Sequence, residues 1–97
     1  MTTPQSIQHT VAALLSEAGS AHGIYEENEL NGVYDQNWPS WYAVYLVEHG
    51  LGQMLGTSFT TEHLSRLLEQ YDQDYKRERP GVGWPQFYAE CLIGQAQ

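Results

Sequence analysis

Apolar positions recur at helical spacing in two long stretches of the chain. Ile7, Val11, Leu14, Leu15 and Ala18 draw one stripe, which predicts an amphipathic helix opening at Thr3 and Pro4 and stopped by Gly19. Leu64, Leu67, Leu68, Tyr71 and Tyr75 draw a second, capped by Thr60 or Thr61 and ending near Arg79 and Pro80. Glu62 with Arg66 and Asp72 with Lys76 stand four apart on that helix in the favourable order. The basic residues of its last turn suit the negative end of the helix dipole. Between the stripes, "SAHGIYEENELNGVYDQN" at 20–37 is the least patterned segment, and it predicts a short extra helix or turn around 24–31 ended by Gly32. The strand signals "GVY" at 32–34 and "GTSFT" at 56–60 are too short to count.

Two aromatic segments interrupt this pattern and resemble each other. "WPSWYAVYLV" at 38–47 aligns without gaps to "WPQFYAECLI" at 84–93. A weaker echo, "YDQ" at 34–36 and 71–73, precedes each copy at a different distance. Proline is tolerated in a first helical turn, where its missing amide would have no partner, so each Trp-Pro opens a helix; Asn37 or Ser40 is the expected cap of the first. Trp38, Trp41, Tyr42, Tyr45, Leu46 and His49 fall on one face of the first copy, and Trp84, Phe87, Tyr88, Cys91 and Leu92 on the matching face of the second. Gly50 follows the first copy as a left-handed C-cap, with Leu51 folding back onto the last turn.

The fold expected is all-α: a small four-helix arrangement made of two similar helical hairpins, residues 1–50 and 60–97, related by a pseudo-twofold axis within one domain. Trp38, Trp41, Tyr42, Tyr45, Trp84, Phe87 and Tyr88 are expected to face inward as an aromatic core or to line a pocket.

Charge sharpens the picture through its distribution. Of 97 residues, 12 are acidic and 4 basic, giving −8, and residues 1–59 contain six carboxylates and no Lys or Arg. Such a field disfavours nucleic acid and acidic membrane surfaces and suits a partner with a basic surface. A single cysteine, Cys91, excludes an internal disulfide and a thiolate zinc site. "MTTPQSIQHT" lacks the basic start and apolar run of a secretory signal, and no stretch approaches the roughly 20 apolar residues of a membrane span. A cytoplasmic setting is expected.

Catalytic patterns fail one by one. Glu26, Glu27, Glu29, Asn31 and Gly32 partly match the oxygen spacing of an EF-hand loop, but counting from Glu27 puts Trp38 where the bidentate glutamate belongs. His22, Glu26, Glu29, Asp35, His49 and His63 are competent metal donors, yet no Glu-x-x-His pair occurs. Cys91 stands on an apolar stripe as a packing residue, no Gly-x-Ser-x-Gly elbow is present, and "GVGWP" at 81–85 lacks the third glycine and the preceding strand of a dinucleotide site. No cofactor is called for.

The function expected is therefore a non-catalytic protein-interaction or regulatory module. Its partner surface is placed at Tyr25, Glu26, Glu27, Glu29, Tyr34, Asp35 and Trp38, where rings adjoin carboxylates. A homodimer through one aromatic face is a variant of the same reading. The alternatives are a bundle that encloses a flat apolar ligand or pigment between the aromatic stripes, a metal-dependent enzyme, and an acidic mimic of DNA.

Overall fold

The computed structural model describes residues 4–96, with side chains from Ile7 onward. Five α-helices follow one another: α1 (Pro4–Glu29), α2 (Trp38–Glu48), α3 (Leu51–Leu55), α4 (Thr61–Glu78) and α5 (Trp84–Ala96). No strand occurs among the described residues. None of their helices is long and apolar enough to cross a membrane.

Local chemistry explains most of the boundaries. Pro39 and Pro85 sit in the first turns of α2 and α5, where the missing amide leaves no hydrogen bond unmade. The Thr60 hydroxyl accepts from the His63 amide at 3.0 Å and caps α4, which ends at Arg79 in the left-handed region. Gly50, with φ 89°, lets the chain leave α2 and enter α3 at once, and Leu51 is fully buried behind it. Asn37 does precede α2, but its side chain makes no capping bond; the expected cap is replaced by Asp35, whose Oδ1 accepts from the Asn37 amide at 2.9 Å. On α4, Lys76 closes on Asp72 at 2.9 Å as spacing predicts, whereas Arg66 and Glu62 do not pair. The expected cap at Thr3 lies outside the described residues.

The main departure from expectation is α1. Gly19 does not stop it, and the short element expected around 24–31 is the continuation of the same helix to Glu29. Glycine costs a helix interior about 1 kcal/mol relative to alanine, yet here the missing side chain serves packing. A Cβ at Gly19 would lie 3.0 Å from Cζ2 of Trp84 and 3.5 Å from the Tyr42 hydroxyl. The helix therefore runs under the indole, and it ends only where Asn31 and Gly32 turn left-handed and the Gly32 amide donates back to the Glu26 carbonyl at 2.9 Å.

α1 packs mainly against α5 and α2 mainly against α4; contacts of α1 with α2 and of α4 with α5 are less extensive. The core between them is aliphatic. Val11, Leu15, Leu46, Leu51, Leu64, Leu68 and Leu92 are its fully enclosed large side chains, joined by Ala18, Ala43 and Ala89. Of the rings in the two Trp-Pro helices Tyr88 is buried, and Trp38, Trp41, Tyr42, Tyr45, Trp84 and Phe87 are half-buried around the core. What the two copies bury in common is the Ala and Leu of their shared pattern, Ala43 with Leu46 and Ala89 with Leu92. The two "YDQ" segments are unrelated in structure, one lying in the connection before α2 and the other inside α4.

Filling the space above Gly19 should overpack the site. Gly19→Leu is expected to destabilise the protein by about 1–3 kcal/mol despite the gain in helix propensity. Gly23→Ala, with nothing within 4 Å of its new Cβ, should instead stabilise by about 0.5–1 kcal/mol. Chemical denaturation monitored by circular dichroism checks both signs.

Candidate functional site

The connection from α1 to α2, residues 30–37, folds back over the last turns of α1 and is fastened there by side chains. His22 Nε2 donates to Asp35 Oδ2 at 2.9 Å, and both residues are buried, at 6% and 8% exposure. Glu26, one turn further along α1, accepts from the Asp35 amide through Oε2 at 3.0 Å and brings Oε1 to 3.9 Å from His22 Nδ1. Every buried polar side-chain atom among the described residues has a partner, as a low-dielectric interior demands.

Rings surround this polar knot. His22 stands 4.9 Å from Trp41 and 5.0 Å from Tyr42, centroid to centroid, with Tyr25 at 6.0 Å. Trp41 continues into a stack with Tyr45 at 5.5 Å, and Tyr45 stacks on His49 at 3.9 Å. In the other direction Trp38, Tyr42, Trp84 and Tyr88 follow one another at 5.5, 6.0 and 5.2 Å with interplanar angles of 83°, 70° and 62°. Pairs at such angles form corners, so these four rings build walls instead of a stack.

Two open clefts result, and the His22–Asp35 pair separates them. One, of about 440 Å³, lies between Tyr25, Asp35, Trp41, Val44, Tyr45 and Glu48. The other, of about 320 Å³, is bounded by the four-ring wall, by His22 and Glu26 on the α1 side and by Asp72 and Lys76 on the α4 side, with Tyr34 at its margin. Asp72 accepts from the Tyr88 hydroxyl at 3.2 Å while holding Lys76.

Burial and these carboxylates act together on the tyrosines. Burial first, then the negative charge of Glu26, pushes the Tyr42 hydroxyl above its ordinary range. Tyr88 is pushed well above that range by burial, then by the charge of Asp72 and the bond to it. Tyr71, which donates to the Cys91 carbonyl at 3.4 Å, is raised to about 12 by burial, with smaller contributions from Cys91 and Asp74. Burial, followed by Asp74, Glu78 and Glu90, also raises the Cys91 thiol, which opposes the thiolate that nucleophilic chemistry requires.

The residues placed on a partner surface by sequence separate into two groups. Glu27, Glu29 and Tyr34 are exposed, Tyr34 at 67%. Asp35 is buried, and Glu26 is half-buried and committed to the connection, so these two shape the surface from beneath; Tyr25 and Trp38 are half-buried at its edge. Of the metal donors, His22, Glu26 and Asp35 come together but bind one another, and Glu29, His49 and His63 stand apart from them. Among the described residues no group of three His, Cys, Asp or Glu side chains is arranged to hold a metal ion. His49 turns its Nδ1 to the Tyr45 carbonyl at 2.8 Å. Phe87 leaves the cleft and packs on Tyr75 at 5.4 Å.

Sequence reading missed Asp72 and Lys76 as cleft residues because a pair four apart on a helix already has a sufficient local explanation. Gly19 was misread because a glycine that stops a helix and one that makes room for a ring look alike until the partner ring is placed. No family model, curated protein or solved structure matches this chain.

Because folding raises Tyr42, Tyr71 and Tyr88, the unfolded chain releases their protons first as the solution becomes alkaline. Their contribution to stability should be complete below about pH 10 and lost progressively above it. Tyrosinate absorbance followed beside far-ultraviolet circular dichroism should show the last tyrosines ionising together with unfolding.

Proposed function

We propose that this protein is a non-catalytic binding module that engages another protein, one with a basic surface, through residues 25–38. The observation that carries this reading is a pair of exposed apolar side chains on a fastened segment: Val33 is 64% and Tyr34 67% exposed, beside the exposed carboxylates of Glu27 and Glu29 on the last turn of α1. Apolar side chains held in water by a rigid backbone are characteristic of interaction surfaces, and flanking charge selects the sign of the partner. The His22–Asp35 and Glu26–Asp35 contacts order the segment in advance, which lowers the entropy lost on binding. A cytoplasmic location and the exclusion of nucleic acid belong to the same reading, supported by one unpaired cysteine and the acidic first half.

The module is a duplicated hairpin with a pseudo-twofold relation between its halves, and function has been built into the first copy. The pattern of packing supports this, since α1 against α5 is the counterpart of α4 against α2. Trp38–Tyr42 at 5.5 Å likewise has its counterpart in Trp84–Tyr88 at 5.2 Å. Each first helix also fastens the connection that follows it: His22 bonds to Asp35 in one half, and the Tyr75 hydroxyl donates to the Val82 carbonyl at 2.6 Å in the other. The halves diverge at these fasteners, and the longer, acidic and apolar connection belongs to the first.

Affinity capture from the source organism at physiological salt, with the captured protein identified and its binding measured, tests the reading. A Glu27→Lys, Val33→Ser, Tyr34→Ser variant alters only exposed side chains and should keep its helicity while losing partner affinity at least tenfold. Unchanged affinity, or self-association as the only contact found, would overturn the proposal.

A further inference from the structure

We infer that the cleft walled by Trp38, Tyr42, Trp84 and Tyr88 receives a quaternary ammonium group. The inference rests on the reading of the protein as a binding module and names the chemistry its cleft would recognise. Three features favour this ligand class over an uncharged apolar group or an anion. The rings meet at 83°, 70° and 62°, so the cleft is bounded by differently oriented rings, of which Trp38, Tyr42 and Trp84 are half-buried and Tyr88 closes the base, and a methylated cation held against more than one of them gains from each ring quadrupole. Two carboxylates, Glu26 and Asp72, stand at opposite sides of the same cleft. Their charge reaches the ring hydroxyls, Glu26 that of Tyr42 and Asp72 that of Tyr88.

The charges at the cleft leave a negative excess for the ligand. Lys76, the cleft's one lysine, is held by Asp72 at 2.9 Å, whereas among the described residues no Lys or Arg pairs with Glu26. An anion would meet Glu26 directly. A primary ammonium or a guanidinium is best served by several acceptors turned toward it, but Glu26 Oε2 already accepts from the Asp35 amide and the Asp72 oxygens are engaged by Tyr88 and Lys76, which leaves Glu26 Oε1 as the one carboxylate oxygen of the cleft without a hydrogen bond. A quaternary ammonium has no hydrogen to donate, so it is satisfied by ring faces and by carboxylate charge at a distance. The volume of about 320 Å³ is at the small end of the range of about 300–1,000 Å³ for ligand sites, which suits a head group better than a large flat ligand.

Titration of the full chain with choline, and with the neutral tert-butyl isostere of choline, separates charge from shape. Two-dimensional NMR of the indole N–H signals reports where each binds. Choline is expected to bind about 2- to 30-fold more tightly than the isostere and to shift the Trp38 and Trp84 signals more than that of Trp41. Glu26→Gln keeps an acceptor for the Asp35 amide while removing the charge, and should weaken choline several-fold while leaving the isostere unchanged. A peptide carrying trimethyllysine, compared with its unmodified form, identifies the source of the group: preference for the methylated peptide assigns it to a protein partner, and binding of choline alone assigns it to a small molecule. Equal affinity for choline and its isostere, shifts confined to Trp41, or no binding of either cation would overturn the inference. Such a failure leaves the partner capture of the exposed Val33 and Tyr34 surface standing, because that measurement contains no quaternary ammonium ligand.

Discussion

The buried contact between His22 and Asp35 is the constraint on which the first half of the molecule depends. It ties the middle of α1 to the connection three residues before Trp38, so it fixes where α2 begins and how its rings are directed. Both partners are nearly closed to solvent, and an isolated polar group there would lose about 1–3 kcal/mol of hydrogen bonding. The pair is therefore both an attachment and a restriction: the connection can lie in one place only. Glu26 adds a second bond to the same residue, to its main chain instead of its side chain, so Asp35 is held from two sides.

From that fixed point the arrangement of rings follows. Tyr42 and Trp41 flank His22, Trp38 stands across Tyr42, and Tyr42 meets Trp84 over Gly19, where α1 has no side chain to intervene. The core below is occupied mainly by leucines, and Trp38, Tyr42 and Trp84 pack half-buried against it. Within α2 and α5, Ala and Leu supply cohesion while Trp and Tyr form the walls of the cleft. The second half, fastened by Tyr75 to a main-chain carbonyl, has the cohesion without the exposed acidic connection.

How far sequence reading reaches is clearest residue by residue. The extent of α4 was legible because its stripe, threonine cap and last-turn bases are local signals that agree, although its expected Glu62–Arg66 pair does not form. The Trp-Pro helices were legible from their similar segments and from proline chemistry. The rest depended on tertiary partners: Gly19 looked like a stop because Trp84 was not yet above it, and 24–31 looked like a separate element for the same reason. The aromatic stripe is legible in the sequence, whereas how deep each ring sits is not, since periodicity gives the face a residue occupies and not the width of the gap it must fit. Asp35 was chosen as a surface contact, and its actual role, a buried acceptor for a histidine 13 residues earlier, has no signature in spacing alone.

The central claim is that the connection before α2 is locked onto α1, and amide hydrogen exchange at Asp35 and Asn37 tests it most directly. Both amides donate to carboxylates, that of Asp35 to Glu26 and that of Asn37 to Asp35 itself. The account predicts that both are protected in the native protein, and that Asp35→Ala removes protection from the connection while α4 keeps its own. Exchange of both amides in the native protein at the rate of an unstructured loop would contradict it.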